Sequence, residues 1–238
     1  MATTVLHKAD TRGHADHGWL NAYHSFSFAS WYNPERVQFG ALRVLNDDTI
    51  AAGMGFGTHP HDNMEIITIP LEGDLAHKDS MGNESTIKTG DVQVMSAGTG
   101  IQHSEFNPNA DLRTKLFQIW LFPKTRNVAP RYQQITLDTT EQKNNFAQIL
   151  SPNPDDAGVW IHQDAWFYLA DFSAEFSKKY ELKKEGNGLY VFVISGTITV
   201  DDQVLETRDG LGITDFKTLD ITAITDAKFL LMEIPMGY

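Results

Sequence analysis

The stretch Gly57-Thr58-His59-Pro60-His61-Asp62-Asn63-Met64-Glu65 decides how this chain reads. Along an extended strand, alternate side chains point to one face and lie about 6.5 Å apart. His59 and His61 therefore share a face. Glu65 has the same parity, and joins them if the strand runs on without a bulge. A second stretch, Gly98-Thr99-Gly100-Ile101-Gln102-His103-Ser104-Glu105, carries another same-face pair, His103 and Glu105. If the two strands neighbour each other, three imidazoles and one or two carboxylates converge. Neutral imidazole with carboxylate suits iron(II), manganese, cobalt, nickel, copper or zinc. A single His-x-His in a strand is more often hydrogen-bonded structure. Two such pairs, each flanked by glycine turns, point instead to one divalent transition metal held by His59, His61, His103 and a carboxylate. Parity alone leaves that carboxylate open between Glu65 and Glu105.

Around these motifs the sequence is a series of short β-prone runs broken by turns. Ala41-Leu42-Arg43-Val44-Leu45, Glu65-Ile66-Ile67-Thr68-Ile69 and Asp91-Val92-Gln93-Val94-Met95 are examples, with Asn46-Asp47-Asp48, Glu72-Gly73-Asp74 and Thr89-Gly90-Asp91 among the breaks. Many short strands at close spacing predict a sandwich or barrel. From about Val159 to Ile234 the same kind of object recurs, with Tyr190-Val191-Phe192-Val193-Ile194 and Leu230-Leu231-Met232-Glu233-Ile234 as strands. This is an internal duplication of weak sequence similarity. The expected organisation is all-β with two barrels: a metal-binding domain over 1–138, a polar, Pro-containing linker over 139–158, and a second domain over 159–238. Asp171 to Leu182 is a weak match to a helical pattern.

Bulk properties narrow the function. With 19 basic and 31 acidic residues the net charge is −12, which repels phosphate backbones and anionic lipid and argues against nucleic-acid or membrane partners. There is no cysteine, so any metal sits on nitrogen and oxygen donors. No apolar run of about 18 residues is present to span a bilayer. The start of the chain lacks the apolar stretch of a secretory signal, which sets the cytoplasm as the expected location.

The pattern Gly53-x5-His59-x-His61-x3-Glu65, then Gly73, resembles the first cupin motif, and Gly90, Gly98, His103 and Asn107 resemble the second. Ser96 stands where that motif usually has proline, and the glycine-to-histidine spacing is longer. Both departures are features of the pirin family, which the chain resembles over nearly its whole length. The matching pieces are Arg12-Gly13, Gly18-Trp19-Leu20, His24-Ser25-Phe26-Ser27-Phe28, Gly57-Thr58-His59-Pro60-His61, Met95-Ser96-Ala97-Gly98-Thr99-Gly100-Ile101 and His103-Ser104-Glu105. The bacterial pirin-like quercetin 2,3-dioxygenases are the most similar branch.

The resemblance implies a bicupin, two double-stranded β-helix barrels in tandem, with a metal in the first barrel only. It implies the ligands His59, His61, His103 and Glu105, with Fe(II) as the metal and Glu105 also the base. Glu65 would then lie beside the metal as an alternative ligand. It further implies a monomeric dioxygenase that opens a flavonol such as quercetin with dioxygen and releases carbon monoxide. Some pirins are instead non-enzymatic, iron-binding, redox-sensitive regulators acting through a protein partner, which is the alternative reading. The second half, where His162 has no partner two residues away, is expected to contribute stability and one wall of a cleft.

Other residues read as structural. His7, His14 and His17 are irregularly spaced, and His24 is placed at a pocket rim. His77 is expected on a strand or hairpin arm. Phe26, Phe28, Trp31 and Tyr32 are expected to pack in a core rather than form a substrate platform.

Overall fold

The computed structural model describes residues 2–237. Strands account for nearly all the regular structure, as the turn-punctuated runs predict. One seven-stranded sheet runs Arg131–Thr136, Asp91–Ser96, Glu65–Glu72, Thr114–Leu121, Leu42–Ile50, Leu20–His24 and Gly13–Asp16 from edge to edge. A four-stranded sheet of Gly55–His61, Ile101–Phe106, Leu75–Asp79 and Glu84–Ile87 closes over it. The second half repeats this plan. Its seven-stranded sheet is Thr3–His7, Gly210–Thr214, Asn187–Ser195, Ala227–Pro235, Trp166–Phe172, Ala147–Ser151 and Val159–Trp160. Its four-stranded sheet is Ser177–Glu181, Thr218–Ala223, Ile198–Val200 and Gln203–Leu205. The two barrels of a bicupin are thus present as two copies of a seven-plus-four arrangement.

Side-chain alternation sets where each strand faces. On Thr114–Leu121, Phe117, Ile119 and Leu121 join a core shared with Phe167, Phe192, Leu230 and Met232 of the other barrel. The alternate residues Gln118 and Trp120 face into the first barrel. The two large sheets therefore pack on each other, and their central strands are buried on both faces. That explains why a run such as Glu65–Glu72 is almost continuously buried. Each fully buried Leu, Ile or Phe in such a core contributes about 1.5–3 kcal/mol relative to exposure.

The two barrel interiors differ in chemistry. The second is filled by apolar side chains, among them Phe172, Val191, Val193, Ile198, Leu219 and Ile221. In the first, apolar packing by Leu20, Ile50, Leu75, Ile87 and Leu116 occupies one part. Ile66, Met95, Ala97 and Ile101 form a second apolar group, and His24, Asn46, Asp48, Gln118 and Glu105 bring polar groups to a cavity beside them.

The strands cross the domain limits expected from the sequence. Thr3–His7, placed in the first domain, pairs with Gly210–Thr214 of the second sheet, from Thr3 opposite Thr214 to His7 opposite Gly210. The expected linker holds the strand Ala147–Ser151, which pairs with Trp166–Phe172 and buries Ile149 and Leu150 in the shared core. The ends of that segment are polar and turn-rich, whereas its centre, Phe146-Ala147-Gln148-Ile149-Leu150, is apolar and forms the strand. The weak helical pattern from Asp171 to Leu182 is instead the end of one strand and the whole of Ser177–Glu181, reversed by a turn in which Glu175 has φ 67°. Phe172, Phe176 and Tyr180 there pack into the second barrel, an apolar demand that outweighs local helical preference. Among the described residues no helix is long and apolar enough to cross a membrane.

Candidate metal centre

His59 and His61 lie on Gly55–His61, and His103 and Glu105 on its antiparallel neighbour Ile101–Phe106. His103 is directly opposite His59, and the register shifts between His103 and Glu105. One ring nitrogen from each of His59, His61 and His103 falls within 4.8 Å of the others. The ring centroids of His59 and His103 are 4.4 Å apart.

The state of these rings follows from their partners. Nδ1 of His59 is 2.8 Å from the Gly57 carbonyl oxygen, which can only accept. Nδ1 therefore carries the proton and Nε2 keeps its lone pair. Nε2 of His61 and both ring nitrogens of His103 are buried without any hydrogen-bond partner. Burial, reinforced by neighbouring imidazoles, pushes His61 down to about 4 and His103 down to about 2. All three lone pairs are thus offered by rings with no internal use for them. Leaving such groups unpaired costs about 1–3 kcal/mol each, a cost that a bound cation removes. The residues present fit a divalent metal.

Glu105 is 3% exposed. Its Oε2 accepts from Nε2 of Gln118 at 3.0 Å and its Oε1 from the Thr68 hydroxyl at 3.5 Å. Burial pushes its carboxyl up to about 7, against the pull of those two hydrogen bonds. A carboxylate oxygen of Glu105 lies within 4.8 Å of ring nitrogens of both His103 and His77. Glu105 is thus linked to the histidine triad through His103.

Among the described residues Glu65 belongs to neither group able to hold a metal, so it does not stand as the alternative ligand. The strand carrying His59 and His61 ends at His61, and Asn63 turns the chain with φ 45°. Glu65 then opens a strand of the other sheet, opposite Ser96 and Leu121. There its Oε2 accepts from the Ser96 hydroxyl at 2.6 Å. Its carboxyl is raised to about 7 by burial, with Ser96 and Arg131 opposing.

His77 is the site residue that sequence reasoning missed. It sits opposite Glu105 on Leu75–Asp79 and is 1% exposed. Nε2 of His77 donates to Oδ2 of Asp79 at 3.2 Å, and its Nδ1 is left without a partner. Burial lowers its pKa, against the pull of Asp79. Asp79 also accepts from the backbone N–H groups of Met81 and Asn83. The signal was available: His77-x-Asp79 has the same alternate spacing as His103-x-Glu105.

A cavity of about 210 Å³ opens beside the triad, walled by Leu20, Ala22, Phe28, Phe56 and Trp120. His24 lines it as expected, with Nδ1 2.9 Å from the Asn46 amide oxygen. The aromatic stretch divides: Phe26 is in the shared core, whereas Phe28 meets Trp120 edge-on at the cavity. Every lining residue falls between Leu20 and Trp120, so the second barrel supplies no wall, contrary to expectation. His14 and His17 are exposed, and His7 is buried against Tyr190. Among the described residues, the groups able to hold a metal are His59, His61 and His103, and His77, His103 and Glu105.

Two cupin barrels, one apolar inside and one lined by histidine and carboxylate, define a bicupin with its candidate metal centre in the first barrel. The chain belongs to the pirin family. The Pirin family model matches residues 5–121, and that of the quercetinase C-terminal cupin domain matches residues 148–234. A quercetin 2,3-dioxygenase of Escherichia coli K12 is 43% identical over 230 residues, 97% of this chain and 98% of that one. A pirin-like protein of Caulobacter vibrioides is 42% identical, over 94% and 96% of the two chains. The crystal structure of the bacterial pirin YhhW of E. coli in complex with nickel(II) superposes with a TM-score of 0.93 at 41% identity, covering 98% of this chain and 99% of that one.

Proposed function

We propose that this protein is a metal-dependent dioxygenase that opens the ring of a flavonol such as quercetin, with His59, His61, His103 and Glu105 holding the metal. The observation that carries the reading is the set of buried imidazole nitrogens with no internal partner, at the wall of an apolar cavity. The relatives named as quercetin 2,3-dioxygenases support the substrate class. Fe(II) is the proposed metal. The E. coli pirin crystallised in complex with nickel(II) supports a divalent ion.

When bound, the metal supplies Lewis-acid and redox chemistry for joining dioxygen to the substrate. The protein's own groups do the rest. Glu105 accepts the proton of the flavonol 3-hydroxyl, being the buried carboxyl tied to the histidine triad through His103. Gln118 and Thr68 hold the Glu105 carboxyl in place for the transfer. The aromatic and aliphatic walls take the flat ring system and keep water from it. Flavonol and dioxygen leave as a depside and carbon monoxide. We further assign it to a monomer in the cytoplasm that binds no nucleic acid, the last supported by the net charge of −12.

The test is oxygen uptake and carbon monoxide release with quercetin, using metal-reconstituted protein and His59→Ala. Turnover that vanishes in the variant is the expected result. A wild type that binds metal yet consumes no oxygen with quercetin would overturn the reading and favour a regulator acting through a protein partner.

A further inference from the structure

A row of polar residues crosses the inner face of the first seven-stranded sheet. His24 is opposite Asn46, Asn46 opposite Gln118, Gln118 opposite Thr68, and Thr68 opposite Gln93. Part of this row serves the metal centre, through Gln118 and Thr68 on Glu105. Asp48 does not. It lies one step along the same face, between the apolar residues Ala22 and Leu116. It belongs to neither metal-capable group.

Asp48 is 4% exposed, lines the cavity, and its Oδ1 has no hydrogen-bond partner. No cation is paired with it among the described residues. Two further atoms of the same cavity wall are unpartnered: Oε1 of Gln118 and the indole Nε1 of Trp120. A buried carboxyl with no internal partner does nothing for folding that the leucine, alanine and isoleucine around it would not do better. Its partner must come from outside the chain. Burial, with Asp47 and Glu105 adding to it, raises the Asp48 carboxyl above its ordinary value. Two unpartnered oxygens, on Asp48 and Gln118, and one N–H, on Trp120, face the same cavity, and a hydroxyl, which both gives and accepts a hydrogen bond, can satisfy both kinds of group. The flat apolar walls around it suit an aromatic ring.

We propose that Asp48, with the free atoms of Gln118 and Trp120, is a subsite for a ring hydroxyl of the substrate distinct from the oxygen at the metal, and so selects polyhydroxylated over singly hydroxylated aromatic substrates. The inference rests on the flavonol reading above and adds the residue that discriminates among flavonols. A site built to pair a hydroxyl rejects the analogue that lacks it, because its buried groups are then left unpaired.

The test is a tryptophan-fluorescence titration of the metal-loaded protein without dioxygen, so that no turnover occurs. Two probes are compared: quercetin, and 3-hydroxyflavone, whose only hydroxyl is the one assigned to the metal. Asp48→Ala is expected to weaken quercetin about tenfold, the loss of roughly one hydrogen bond, and to leave 3-hydroxyflavone unchanged. Asp48→Asn, which keeps the shape, is expected to retain part of the quercetin preference and decides the matter if the alanine variant does not fold. Equal loss for both probes, or no loss for either, would overturn the subsite while leaving the flavonol reading intact. A wild type that binds neither probe would overturn the flavonol reading, and the subsite with it.

Discussion

Gln118 on the large sheet donates from Nε2 to Oε2 of Glu105 on the small sheet, so a single 3.0 Å bond reaches across the barrel to hold the carboxyl beside the histidines. Glu105 has one other side-chain partner, Thr68, at the longer distance of 3.5 Å. Gln118→Leu removes the stronger contact without touching an imidazole. Groups that orient a ligand or base in this way typically account for about 10- to 100-fold in metal affinity or activity. We expect quercetin turnover to fall by that order, with metal retained by the three histidines. Metal analysis alongside oxygen uptake checks both.

The two carboxylates of the opening motifs are expected to separate under substitution. Glu105→Gln should lower metal content or abolish turnover. Glu65→Gln should leave metal content unchanged, because Glu65 bonds Ser96 in the other sheet. Metal stoichiometry of the two purified variants is the measurement. Loss of metal from Glu65→Gln with retention in Glu105→Gln would reverse the assignment.

Asp79 holds both the His77 ring and the turn that follows it, through Met81 and Asn83. Burial raises its carboxyl, but hydrogen bonds from Asn83, His77 and the turn backbone outweigh that and hold it below its ordinary value. Asp79→Ala leaves those buried donors unpaired, at a cost of about 1–3 kcal/mol in unfolding free energy. Urea denaturation at pH 7 reads it. A folded-state pKa that is depressed contributes stability above the unfolded value, lost as pH falls. The difference between wild type and variant should therefore shrink below about pH 4.

His7 has the opposite chemistry and a different window. Burial, with Arg36 adding to it, lowers its pKa to about 4, and its Nδ1 is 2.9 Å from the Tyr190 hydroxyl. Between pH 6.5 and 4 the unfolded chain takes up a proton that the folded one refuses. Stability contributed by this group is therefore present above 6.5 and drains away as pH falls. At pH 5 the loss is on the order of 2 kcal/mol. His7→Gln should show a flatter decline between pH 7 and 5 in urea midpoints. Parallel declines would refute the assignment of the effect to His7.

Which parts of this could be read from the sequence follows from what each pattern depends on. The alternation in Gly57-Thr58-His59-Pro60-His61 is local, and it delivered the shared face of His59 and His61. The pairing of His103 with His59 needed only two neighbouring strands, and the register supplied it. Glu65 fails because parity survives only as long as the strand does, and Asn63 ends it. His77 reads as structural from its own stretch, and Asn46-Asp47-Asp48 reads as a turn, whereas Leu42–Ile50 is one strand that carries Asp48 into the cavity wall; the meaning of both lies in what faces them. His77 matters through Glu105 opposite, and Asp48 through the absence of any partner. The second barrel's lack of a site was visible as missing histidines. That apolar side chains such as Phe172 and Val191 cluster in its interior was not.

The placement of Thr3–His7 at the edge of the second sheet has a consequence for how the chain is made. His7 and Tyr190 meet across 183 residues of sequence. Contacts at such separation form late, since the intervening chain must be ordered before they return anything. On the ribosome, this strand emerges long before its partner and waits, unpaired, until Gly210–Thr214 has been translated. The first barrel can take shape before then, but Thr3–His7 is sealed in place only once Gly210–Thr214 has followed the whole of that barrel out.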